Sequence, residues 1–89
     1  DMVVAITGAS GGMGKEICKM LVDEGVKFLL CSNDELSLKE LEDSLKAKGA
    51  QVVSAVIDVT DETQVKAFFE TGANTYGNVD ILLILAGLS

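Results

Sequence analysis

Apolar residues along this chain alternate between short runs, nearly unbroken, and longer stretches where they recur every three or four positions. The runs are Met2-Val3-Val4-Ala5-Ile6, Lys27 to Cys31, Gln51 to Ile57 and Ile81 to Ala86. Runs without regular polar alternation suit parallel strands covered on both faces. Between them the spacing turns helical. Met13, Ile17, Met20 and Leu21 mark a first helix that stops at Gly25, and Leu38, Leu41 and Leu45 form the stripe of a second, closed by Gly49. A third helix is predicted from Thr60 as N-cap, with Asp61 and Glu62 in a first turn whose dipole favours negative charge. Val65, Phe68, Phe69 and Tyr76 supply its core stripe. Gly72 falls inside that pattern and on propensity alone should weaken the helix by about 1 kcal/mol relative to alanine.

The resulting order, βαβαβαβ, predicts one α/β domain of three layers, α/β/α, because parallel strands need crossovers that place helices on the faces of the sheet. The expected strand order is 3-2-1-4, with a switch point between the first and fourth strands. Ligands of such sheets bind beyond the carboxyl ends of the strands at that point. Here this means residues 8–14 and the segment Ala86-Gly87-Leu88-Ser89.

The first of these segments, Thr7-Gly8-Ala9-Ser10-Gly11-Gly12-Met13-Gly14, sits between a strand and a helix. A glycine-dense turn in that position directs unpaired backbone N–H groups outward, and the helix dipole adds about half a positive charge, so a pyrophosphate is favoured there. Gly8, Ser10, Gly11, Gly12, Met13 and Gly14 are therefore candidate contacts; the alternative is a tight strand-to-helix turn with no ligand. Glycines also permit positive φ and close approach. The spacing is not G-x-G-x-x-G, which needs a glycine where Ile17 stands, nor a phosphate loop ending G-K-[ST], since Lys15 is followed by Glu16.

Composition narrows the function classes. A net charge of −7, with seven lysines and no arginine, argues against nucleic-acid binding. No apolar run approaches the roughly 20 residues of a membrane span, and no secretory leader pattern opens the chain, so a cytoplasmic location with no membrane partner is expected. Cys18 and Cys31 are not in a C-x-x-C pair and there is no histidine, so a zinc ligand set is lacking and both cysteines read as buried thiols. The 89 residues make at most one domain, and an apolar content of 48% is high for so short a soluble chain.

The motif T-G-x-x-x-G-x-G after the first strand resembles that of the short-chain dehydrogenase/reductase family, and the resemblance runs along essentially the whole chain. It implies a Rossmann-like fold, residues 1–89 forming a partial NAD(P)-binding domain, and NAD or NADP as cofactor. In that family the end of the second strand meets the adenosine ribose. The matching Ser32 and Asn33 are neutral, where an acid would favour NAD and an arginine is frequent in NADP binders, so NADP is favoured over NAD; an ordinary turn is the alternative for both. Asp34 reads as a helix cap or first-turn residue rather than a ribose ligand. Asp58-Val59 resembles the family pair that reaches the adenine edge, with capping of the next helix as the alternative.

Ala86 and Gly87 keep the small residues against which a nicotinamide ribose lies, but Ile84 and Leu85 replace the two asparagines of the family pattern. The resemblance implies a parent enzyme that moves a hydride between NAD(P)(H) and a carbonyl or alcohol substrate, most similar to 3-oxoacyl-carrier-protein reductases, and a homo-oligomer. The serine and Tyr-x-x-x-Lys residues that carry proton transfer in the family are not among these 89. Tyr76 has no lysine four residues on and reads as packing. No residue here is a candidate catalytic group, and the chain alone is expected to be inactive and to associate through the Ile81 to Leu85 run. A nucleotide-binding module without chemistry, or a structural unit, are the other readings.

Overall fold

The computed structural model describes residues 2–9, 11–58 and 60–84, with only the backbone for Leu83 and Ile84. The elements are β1 (Val3–Thr7), α1 (Gly12–Leu21), a 3-10 turn (Val22–Glu24), β2 (Lys27–Ser32), α2 (Glu35–Ala47), β3 (Val52–Val56), α3 (Glu62–Tyr76) and β4 (Ile81–Ile84). All strand pairs are parallel and their order is β3-β2-β1-β4. The expected topology is the observed one.

Side chains of a strand alternate between faces, and partners in a parallel ladder share a face. Val4, Ile6, Phe28 and Leu30 accordingly pack against α1 and α2 with Cys18, Val22, Leu38, Leu41 and Leu45. Ala5, Leu29 and Cys31 face the other way, onto Phe68 of α3. This buries β1 and most of β2 on both sides and explains why neither strand alternates in polarity. Phe28, Ile6, Leu29 and Leu30 are the largest fully buried residues, each contributing about 2–3 kcal/mol by removal of apolar area from water.

Three local expectations are corrected. Met13 and Met20 are exposed, at 51% and 74%; the buried stripe of α1 runs through Gly14, Ile17, Cys18 and Leu21, and the two methionines lie roughly 100° round the helix from it. The N-cap of α3 is Asp61, not Thr60. Asp58 Oδ1 accepts both the Thr60 N–H (2.9 Å) and the Thr60 hydroxyl (2.6 Å), so that hydroxyl is engaged before the helix starts, while Asp61 accepts from the N–H groups of Thr63 and Gln64. Finally, Gly72 is where α3 lies against β2. A Cβ there would collide with the Leu29 side chain, so the glycine is a packing requirement and not a simple loss of helix stability.

One long-range clamp closes the sheet. Asp80 Oδ2 accepts the Val3 N–H at 2.8 Å, and the Asp80 N–H donates to the Val3 carbonyl at 2.9 Å, which sets β4 beside β1 before their ladder begins.

Candidate functional site

The turn leaving β1 is tied to the end of β2. Thr7 pairs with Cys31, and the Ala9 N–H donates to the Cys31 carbonyl at 3.1 Å. Gly11 N–H donates to the Gly8 carbonyl at 3.2 Å, closing the turn just before α1.

The three glycines of the motif do three different things. Gly8 has φ +72°, the left-handed region in which a side chain is strained. Gly14 is buried against the turn: a Cβ there would stand 2.8 Å from both the carbonyl carbon and the Cα of Ala9. Gly12 has negative φ and an added Cβ would meet nothing within 4 Å, so the fold itself makes no demand for glycine there. A cradle that only an incoming ligand fills has this property.

Helix α1 differs from the other two at its N-terminus. Asp34 caps α2 and Asp61 caps α3, with Glu35 and Glu62 in their first turns; α1 begins at Gly11 with no side-chain cap and no acidic residue in its first turn. Its leading N–H groups and the positive end of its dipole are thus left for an anion. Thr7, the first residue of the motif, is 4% exposed, and its hydroxyl has no partner among the described residues. Sequence reasoning passed over this threonine, although a hydroxyl closing an apolar strand was the available signal.

At the end of β2, Ser32 is buried and its Oγ accepts the Asp34 N–H at 3.1 Å. Asn33 and Asp34 are exposed. The Asp34 carboxylate takes the Ser37 N–H (3.1 Å) and hydroxyl (3.0 Å), the two bonds that chiefly hold its pKa below the ordinary carboxylate value. Asp34 is therefore the helix cap that the spacing predicts. Asp58 lies exposed beyond β3; its two bonds to Thr60 lower its pKa, hydroxyl first, and its N–H donates to Gln64 Oε1 at 2.9 Å. It holds the turn ahead of α3 without being the cap.

Cys31 and Cys18 are free, buried thiols, as expected. Burial raises their pKa values to about 11 and about 12, the former despite a hydrogen bond from the Gly8 backbone. Tyr76 is a packing residue whose hydroxyl donates to the Phe28 carbonyl at 3.2 Å. The structure brings together Gly8, Gly11, Gly12, Met13 and Gly14 at the carboxyl end of β1, with Ser32 and Asn33 at the neighbouring strand end and Asp58 beyond β3. Ser10, Val59, Leu85, Ala86, Gly87 and Ser89 lie outside the described residues.

A family model described as short chain dehydrogenase matches residues 2–89. The chain belongs to the short-chain dehydrogenase family. An uncharacterized oxidoreductase of Bacillus subtilis (strain 168) is 37% identical over 89 residues, taking in 100% of this chain and 25% of its own length. Among solved short-chain dehydrogenase structures, an NAD+-bound xylitol dehydrogenase superimposes with a TM-score of 0.87 at 31% identity, over 91% of this chain and 31% of that one. An actinorhodin polyketide ketoreductase with NADPH gives 0.88 at 28% identity, over 94% and 32%. The short-chain dehydrogenase segment thus spans about a quarter to two fifths of the length of curated relatives it matches. Among the described residues, no helix is long and apolar enough to cross a membrane.

Proposed function

We propose that residues 1–89 are the nicotinamide-dinucleotide-binding portion of a short-chain dehydrogenase/reductase. The observation that carries this reading is the uncapped α1 N-terminus beside a Gly12 whose Cβ direction is open, at the switch point between β1 and β4. Backbone N–H groups of the turn and first helical turn hold the pyrophosphate, Ser32 and Asn33 meet the adenosine ribose, and Asp58 with Val59 meets the adenine edge. Ala86 and Gly87, small residues in the sequence, are assigned to the nicotinamide ribose. The bound nicotinamide supplies or takes the hydride exchanged with a carbonyl or alcohol carbon of a small substrate. Proton transfer to that oxygen is assigned to residues beyond these 89, so this segment binds and orients and does not catalyse alone.

The neutral Ser32 and Asn33 favour NADP over NAD in this reading, and the likeness to a polyketide ketoreductase favours a 3-oxoacyl-type carbonyl. A cytoplasmic homo-oligomer is the setting that fits both. The test is calorimetric titration of the full-length protein with NADP and NAD, beside its Gly12→Val variant. A branched side chain in the open direction should abolish binding of both while circular dichroism stays unchanged. Retained binding in Gly12→Val removes the cradle. The loss of two asparagines at Ile84 and Leu85 favours one second reading, a nucleotide-binding module without chemistry. Sustained oxidation of reduced cofactor by the full-length protein with a carbonyl substrate eliminates it.

A further inference from the structure

Three methionines are open to solvent, Met2 at 47%, Met13 at 51% and Met20 at 74%, and of these Met13 alone stands in the glycine turn. It is the second residue of α1, between Gly12, whose Cβ direction is open, and Gly14, which is packed against Ala9. The helical ladder starts with the Lys15 N–H donating to the Gly11 carbonyl at 3.0 Å, so the N–H groups of Gly12, Met13 and Gly14 precede it and have no partner within the helix. Carboxylates of Asp34 and Asp61 take such groups in α2 and α3, whereas Gly11 has no side chain to offer α1. Cys18 and Cys31 are buried and held protonated, so neither presents a thiolate to an oxidant. An exposed thioether needs no deprotonation to react.

We propose that Met13 is an oxidation site at which a peroxide closes the cradle to dinucleotides, the sulfoxide oxygen taking the helix N–H groups that the pyrophosphate would use. The inference rests on the dinucleotide reading of the glycine turn. The Met13 sulfur attacks one oxygen of hydrogen peroxide as the O–O bond breaks; sulfur gives up two electrons and gains the S–O bond, and the other oxygen leaves as water. The product is a sulfoxide, which methionine sulfoxide reductases return to the thioether. Its oxygen is separated from Cα by as many bonds as the side-chain oxygens of Glu and Gln, which fold back onto backbone N–H groups at helix N-termini. Oxidised Met13 therefore caps its own helix. A pyrophosphate must displace that oxygen before it binds, whereas the thioether is a weak acceptor and leaves the donors free.

The test is hydrogen peroxide treatment of the full-length protein, with sulfoxide at each methionine read by peptide mass mapping and affinity for NADP and NAD read by calorimetry. Both dinucleotides should bind about fivefold more weakly or worse, the scale of a helix cap, in step with sulfoxide at Met13 and not at Met2 or Met20, and a methionine sulfoxide reductase should restore them. Met13→Leu, which has no sulfur, should keep through the same treatment whatever affinity it starts with. Met13→Gln, which carries an oxygen at that distance permanently, should bind more weakly than Met13→Leu. Bound NADP should slow sulfoxide formation at Met13 several-fold and leave Met2 and Met20 unaffected, a readout that needs neither variant to fold. Undiminished binding with Met13 fully oxidised, an equal loss of affinity in Met13→Leu, or the same oxidation rate at Met13 with and without NADP overturns the role of Met13 and leaves the dinucleotide reading standing. Failure of the untreated protein to bind either dinucleotide overturns both.

Discussion

Replacing Gly12 and Gly14 by alanine, one at a time, separates a glycine kept for a ligand from a glycine kept for the fold. Carbon atoms in ordinary contact sit about 3.5–4.0 Å apart. A methyl at Gly14 would reach 2.8 Å from two backbone atoms of Ala9, a fully buried residue whose N–H is bonded to Cys31. The obstacle is main chain, so no rotamer change relieves it and α1 must lift off the turn. Overpacking of this kind costs about 1–3 kcal/mol, against a helix-propensity gain of up to about 1 kcal/mol for alanine. The net expectation for Gly14→Ala is a destabilisation of about 1–2 kcal/mol. For Gly12→Ala the steric cost is nil, so stability should hold within about 0.5 kcal/mol or rise slightly. For a domain of this size the two variants should then differ in melting temperature by roughly 5–15 °C. Urea unfolding followed by far-ultraviolet circular dichroism measures the difference. Equal stability of the two variants would refute the division of roles among the glycines.

Further perturbations test the packing and capping arguments. Gly72→Ala should lower stability by about 1 kcal/mol or more, because Leu29 is fully buried and has little room to move; a raised urea midpoint would return Gly72 to a plain helix-propensity cost. Asp61→Ala should cost about 1 kcal/mol and Thr60→Ala less, reversing the order expected if Thr60 were the cap; chemical denaturation of both ranks them. The thiols of Cys18 and Cys31 have folded pKa values of about 12 and about 11, above the ordinary 9.0, so the folded state keeps its protons where the unfolded chain gives them up. Their contribution is complete below pH 9 and is lost as pH rises toward those folded values. Urea midpoints should fall from pH 9 upward, and less steeply in Cys18→Ala; a flat profile would contradict the buried-thiol account.

Much of the architecture was legible because it depends on local chemistry. Gly25 and Gly49 end helices at φ +75° and +88°, conformations few other residues adopt, and the unbroken apolar strands announce burial on two faces. The glycine turn was legible as a site for the same reason. What escaped depends on choices between equivalent neighbours. Thr60 and Asp61 are both competent caps, and only the contact from Asp58, two residues upstream of Thr60, decides between them. Met13 and Met20 fit a helical period as well as Gly14, Cys18 and Leu21 do, and only the angle at which α1 lies on the sheet separates the sets. Gly72 looked like a defect because its reason, Leu29, is 43 residues away in another element.

The Asp80 clamp bears on the order in which the molecule assembles. Val3 finds its partner in β2 only 24 residues on, at Lys27, but its partner Asp80 stands 77 residues on. Closing the longer loop from a disordered chain costs about 1 kcal/mol more in entropy, and the intervening helices must be placed before it is repaid. The two edges of β1 are therefore filled at different times, the β2 side early and the β4 side last. In reverse, β4 is the strand that opens first, so its amides should exchange with solvent by a partial opening that leaves β1, β2 and α2 intact.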